Sequence, residues 1–132
     1  MFCKSLYLSV KKAKPSCIVS WAPSIYPWSK EQYLQDWPKW LEGGYADYIV
    51  PQLYRYKIED YEKILKELHA QVGTKYKGKV FPGILSSLGA GYLSTPLLNA
   101  QMIKLNRKYG FDGEVFFYFE TLKRMKENFY KK

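Results

Sequence analysis

The sequence predicts an α/β chain, a leading helix followed by four strand-then-helix units. Three observations carry this. Apolar residues recur at helical spacing in five segments. Short apolar runs separate those segments. The runs begin about 30 residues apart, the size of a βαβ unit. Short apolar strands alternating with helices imply parallel strands whose outer face the helices cover.

Each element has its own signal. Phe2, Leu6 and Val10, at i, i+4 and i+8, predict a helix over Phe2–Ala13. Lys14-Pro15 ends it, because the residue before proline avoids the right-handed helical region. Cys17–Trp21 is a buried strand, and Ala22–Ser29 a loop rich in proline and aromatics. Ser29 with Gln32 resembles a capping box. The helix it would start carries Tyr33, Leu34, Trp37, Trp40 and Leu41 on one side; Pro38 kinks or restarts it, and Gly43-Gly44 stops it.

The pattern then recurs. Asp47–Gln52 is the second strand, and Ile58, Tyr61, Leu65, Leu68 and Val72 line the next helix. Lys79–Leu85 is the third strand, and Ser86–Ser94 a loop. Thr95-Pro96 is an N-cap with proline at the first helical position, ahead of the stripe Leu98, Met102, Leu105, Tyr109. Gly113–Phe119 is the fourth strand. Leu122, Met125 and Phe129 mark a last helix.

With 132 residues, 47% of them apolar, the chain has material for one packed domain. Aromatics make up 18%, which favours a stacking surface without naming its ligand. The net charge of +9 would suit an anionic partner. The lysines, however, gather in Lys4–Lys14, Lys57–Lys79 and Lys123–Lys132, on expected outer helices, and do not interleave with the aromatics. We read them as solvating helix faces rather than as a nucleic-acid surface.

Cys3 and Cys17 have neither metal-ligand spacing nor a disulfide framework. Cys17 sits in an apolar run and is expected as a buried thiol; nothing fixes Cys3. The single His69 lies on the polar flank of a helix and cannot build a zinc site alone. No metal and no cofactor is expected. No run reaches the roughly 18 apolar residues of a membrane span, and Met1–Val10 is too short and polar for a signal peptide.

Strand spacing alone leaves an open doubly wound sheet and a closed barrel as alternatives. Three segments resemble the glycosyl-hydrolase-10-like family of bacterial (β/α)₈ barrels: Ser20-Trp21-Ala22-Pro23, Asp47-Tyr48-Ile49-Val50-Pro51-Gln52-Leu53-Tyr54, and Gly113-Glu114-Val115-Phe116-Phe117-Tyr118-Phe119-Glu120. The second is the most specific, although Arg55 stands where the family has an aromatic. The resemblance implies that residues 1–132 are one partial domain, the C-terminal half of a (β/α)₈ TIM barrel. It implies hydrolysis of glycosidic bonds in bacterial glycans, peptidoglycan strands included. Many members are exported. The family's Asp-rich strand end in the first barrel half has no counterpart here, so the chain is expected to lack part of the catalytic site and to be inactive alone. Self-association, or complementation by an N-terminal half, would complete the barrel.

In parallel βα folds the working residues sit at the C-terminal ends of strands. Among the carboxylates only Glu120 is expected there, which makes it the catalytic candidate. Its other reading is an acid stabilising the last helix through the dipole. Strand alternation sends Val50, Gln52 and Tyr54 inward and Ile49, Pro51 and Leu53 to the helices. In the fourth strand it is read as sending Glu114, Phe116, Tyr118 and Glu120 inward, and Val115, Phe117 and Phe119 outward. Gln52, Tyr54 and Tyr118, with Arg55 and Trp28 in adjoining loops, are the substrate-binding candidates, since amide, hydroxyl and aromatic groups suit sugars. A satisfied polar layer for Gln52 and Tyr54, and loop packing for Trp28, are the plainer readings. Glycoside hydrolysis commonly uses two carboxylates, and one is offered. The competing functions are a non-catalytic glycan- or partner-binding half barrel and a basic nucleic-acid-binding α/β domain.

Overall fold

The computed structural model describes the backbone of residues 1–124 and the side chains of residues 1–121. Six α-helices and four short strands alternate along it: α1 Phe2–Ala13, β1 Ser20–Trp21, α2 Trp28–Tyr33, α3 Trp37–Glu42, β2 Tyr48–Ile49, α4 Ile58–Val72, β3 Gly83–Leu85, α5 Pro96–Lys108, β4 Val115–Phe117 and α6 Phe119–Arg124, with a 3₁₀ turn at Lys77–Lys79 before β3. This is a partial α/β fold of helices and parallel strands. The last-helix positions Met125 and Phe129 lie outside the described residues, and the side chain of Leu122 is not described.

The strands are shorter than the apolar runs suggest. β1 pairs with β2 and β3 with β4, both parallel, as two separate two-stranded sheets. Between them stand single parallel bridges, Ile49 to Val80 and Gln52 to Gly83. The bonds there are ordinary: Phe81 N–H to Ile49 O at 2.9 Å, and Gly83 N–H to Pro51 O at 2.8 Å. Pro51 and Pro82 have no N–H to donate, which interrupts regular pairing. Gly83 is required where it stands. A Cβ there would lie 2.8 Å from the Pro51 carbonyl oxygen.

The core lies between these segments and the helices. Ile49, Leu53, Tyr61, Leu65, Ile84 and Met102 are at its centre, all but sealed from solvent. Burial of a large apolar side chain contributes about 1.5–3 kcal/mol, so the facing stripes of α4 and α5 are the main clamp. The α4 stripe has the expected members, joined by Ile64. On α5, Met102 is buried, and so are Asn99 and Asn106, which apolar periodicity does not reveal. Asn106 Oδ1 accepts the Tyr61 hydroxyl at 2.8 Å. Thr95 caps α5, its Oγ1 accepting from Leu98 N–H at 3.1 Å.

Five expectations need correction. The inner face of α1 is Cys3, Tyr7, Val10 and Lys11, while Phe2 and Leu6 are exposed; the stripe is turned by one residue because Asp47 draws in Tyr7 and Lys11. Cys3 is consequently the buried thiol, and Cys17 is only partly covered. Ser29 makes no capping box: it lies inside α2, buried, with Oγ donating to Gln35 O at 3.0 Å. Leu34, expected on the apolar side, ends that helix in the left-handed region, 86% exposed, and α3 begins afresh at Trp37 with Pro38 in its first turn. Finally, the faces of β4 are reversed. Phe116 packs on the core, while Val115 and Phe117 are 44% and 45% exposed. Glu114 decides this phase, because Arg107 of α5 holds it at 2.8 Å.

Candidate functional site

Parallel strands place their C-terminal ends on one side, and there the loops after β1 and β2 enclose an open cleft of about 440 Å³. Its lining is Ser24, Ile25, Trp28, Gln52, Tyr54 and Arg55. Four of the six sequence-proposed site residues, Trp28, Gln52, Tyr54 and Arg55, therefore share one cavity. Among the described residues no carboxylate lines it.

The cleft is held from several directions. Gln52 N–H donates to Pro23 O at 2.9 Å, and Gln52 Nε2 to Ala22 O at 2.8 Å. Ser24 N–H reaches Gln35 Oε1 at 2.9 Å, and Gln71 Nε2 reaches Tyr26 O at 2.9 Å. The loop after β1 is thus tied to β2, to the α2–α3 link and to α4. Preorganisation of this kind lowers the entropic cost of binding. Strand alternation explains the lining: Pro51 and Leu53 are buried toward α4, so Gln52 and Tyr54 emerge on the other side.

Each wall offers different chemistry. Trp28 is 45% exposed and edge-packed on Tyr33, with ring centroids 5.0 Å apart. Burial pushes the Tyr54 hydroxyl above the ordinary tyrosine value of 10.0, so it stays protonated and able to donate throughout the neutral range. Arg55 Nη1 donates to Tyr54 O at 2.7 Å. A polar depression adjoins the cleft, with Arg55 and Ile25 common to both and Asp60, Lys63 and Glu67 from α4 on its far side. These three are spaced i, i+3 and i+7 on one helical face; their approach to Arg55 depends on how α4 meets the loop, which local spacing does not reveal.

The other two proposed residues stand apart. Tyr118 joins through a row of rings, Tyr54 to Phe117 at 5.8 Å and Phe117 to Tyr118 at 5.4 Å. Glu120 does not end a strand. It lies exposed in the first turn of α6 and does not line the cleft. The helix starts directly at Phe119, which takes Glu120 out of the β4 ladder.

A model of the family described as glycosyl hydrolase-like 10 matches residues 1–102. The chain belongs to that family. No curated protein matches it, and no solved structure does. The glycosyl hydrolase-like 10 match contains all six cleft residues and ends before Tyr118 and Glu120.

Among the described residues no helix is long and apolar enough to cross a membrane, and no group of three or more His, Cys, Asp or Glu is placed to hold a metal ion. His69 packs against the end of α5, with Nδ1 3.0 Å from Tyr109 O. Lys57, Lys63, Lys66, Lys75 and Lys79 are exposed on and around α4, and of these only Lys63 borders the depression.

Proposed function

We propose that this chain forms the glycan-binding side of a glycoside hydrolase acting on bacterial glycans such as peptidoglycan strands. The observation that carries this reading is the convergence of Trp28, Gln52, Tyr54 and Arg55 on one cleft at the C-terminal ends of parallel strands. An indole and a phenol ring can stack on the apolar faces of sugars. The Gln52 amide, the Tyr54 hydroxyl and the Arg55 guanidinium supply directional bonds to hydroxyl and acyl groups.

In this reading residues 1–132 are a single partial domain, the C-terminal half of a (β/α)₈ barrel. The sequential, all-parallel neighbour relations of β1, β2, β3 and β4 support it, since a barrel wall runs in that order. Hydrolysis then needs an acid/base pair. Glu120, just beyond the C-terminal end of β4, is one member, and the second comes from a segment outside these residues. The chain alone is accordingly inactive or nearly so.

The test is titration of the 132-residue chain with purified glycan strands, followed by calorimetry, beside an assay for released reducing ends. Binding that Trp28→Ala weakens about tenfold or more supports the reading; no binding at millimolar glycan ends it. If any hydrolysis is measurable, Glu120→Gln abolishes it, and unchanged turnover removes Glu120 from the mechanism. A second reading, a non-catalytic glycan- or partner-binding half barrel, draws on the cleft lining, which has no carboxylate among the described residues. It predicts the same binding and no hydrolysis even when a complementary half is supplied.

A further inference from the structure

We propose that the polar depression beside the cleft is a site for a free α-amino acid whose short side chain carries an oxygen, serine being the simplest. This is a second site, and it stands independently of the glycan reading. The depression holds about 260 Å³, and its wall includes two cations, Arg55 and Lys63, and two anions, Asp60 and Glu67. None of the four makes an ion pair among the described residues. Carboxylates elsewhere do pair. Asp47 takes Lys11, Asp36 takes Lys30 and Lys39, and Glu62, on the same helix α4, takes Lys66 and Lys108. At the depression Lys63 precedes Glu67 by four residues, the weaker order for a helical pair, and Arg55 Nη1 donates to Tyr54 O instead. Two charges of each sign therefore line one concavity unpaired. A ligand with one charge of each sign complements them better than a simple anion or cation does.

A separate observation sets the size of the ligand and the chemistry of its side chain. A narrow recess of about 10 Å³ adjoins the depression, with Ile25, Ile64 and Glu67 common to both. It has room for one water-sized group. Trp37, Leu53 and Leu68, all buried, also line it. Trp37 is 1% exposed, and its Nε1 has no hydrogen-bond partner among the described residues. A buried donor without an acceptor is costly, and an oxygen in the recess would relieve it. The ligand carboxylate takes Lys63 and the guanidinium fork of Arg55, and the ammonium takes Glu67. Because Glu67 borders both spaces, the ligand Cα then stands at the mouth of the recess. A hydroxymethyl group places its oxygen inside, whereas a branched aliphatic side chain has no room.

The experiment titrates the 132-residue chain by calorimetry with each enantiomer of serine, and compares the tighter one with its relatives. Serinamide lacks the carboxylate and N-acetylserine lacks the ammonium; each is expected to bind at least about tenfold more weakly. Alanine should bind about threefold to tenfold more weakly for want of the oxygen, and leucine not measurably. Glu67→Gln should weaken serine about tenfold. Trp37→Phe, which removes the indole N–H, should abolish the preference for serine over alanine. No binding of either enantiomer at millimolar concentration overturns the proposal. So does serinamide or N-acetylserine binding as tightly as serine, since one charge would then suffice. Equal affinity for serine and alanine leaves the recess to water and overturns it too. The probe comparisons are made on the native chain, so they decide the matter even if Trp37→Phe fails to fold.

Discussion

Lys11 Nζ lies 2.7 Å from Asp47 Oδ2, and this contact fastens α1 to the strand layer. The same carboxylate accepts from Val19 N–H at 2.7 Å and from the Tyr7 hydroxyl at 3.0 Å. Lys11 also donates to Cys17 O at 2.6 Å. One acidic side chain thus joins a helix, the entry to β1 and the entry to β2. Burial works against its charge, but the Lys11 ammonium, the Val19 amide and the Tyr7 hydroxyl outweigh burial and hold Asp47 below its ordinary value of 3.8. A lowered folded value means stability that is full above pH 3.8 and lost as the pH falls through the folded value. Asp47→Asn should destabilise the chain at neutral pH by about 1–2 kcal/mol. The gap from the native chain should close as the pH drops below about 4, which urea melts across the acid range would measure.

Gly83 should tolerate no side chain. Its hypothetical Cβ meets the Pro51 carbonyl, which is backbone, whereas at Gly113 the Cβ meets the Phe81 ring at 2.9 Å. A ring can turn aside and a strand carbonyl cannot. Gly83→Ala should therefore cost about 1–3 kcal/mol and Gly113→Ala less. Thermal melts of the two variants give the comparison, and the opposite order would refute it.

Tyr61→Phe removes the hydroxyl that satisfies Asn106 deep between α4 and α5. Packing volume is retained, so the loss is that of a buried bond with one partner stranded, about 1–3 kcal/mol. Tyr61→Phe combined with Asn106→Leu should recover part of it. A double-mutant cycle in urea measures the coupling.

How the chain behaves alone tests the half-barrel reading. Among the described residues β1 and β4 each have a neighbour strand on one side only, and Val115, Phe117 and Phe119 are exposed beside the β4 edge. Unpaired edges with apolar flanks invite pairing. Light scattering should find dimers or larger species, growing with salt as the repulsion of +9 is screened. A monodisperse monomer would count against the half barrel.

What the sequence made legible follows from how local each signal is. α4 and α5 could be read because their stripes repeat over several turns, and Thr95-Pro96 because a cap acts within four residues. Gln52 and Tyr54 stood out as polar or amphipathic residues alternating with apolar ones. The stretch Val115-Phe116-Phe117-Tyr118-Phe119 is aromatic or branched at every position, so its alternation has no phase. Its phase comes from Glu114 bonding to Arg107 across to another element, and that is not a local property. The α1 face was missed for a similar reason, since its partner Asp47 lies far along the chain.

Residues 49–54 carry the core on one side and the cleft on the other, clasped by bonds to segments on both flanks. Inserting or deleting a single residue there would present Leu53 to the ligand and press Gln52 and Tyr54 into oil. Recognition and cohesion are written on alternate letters of one short word. Evolution can respell those letters but cannot shift the frame.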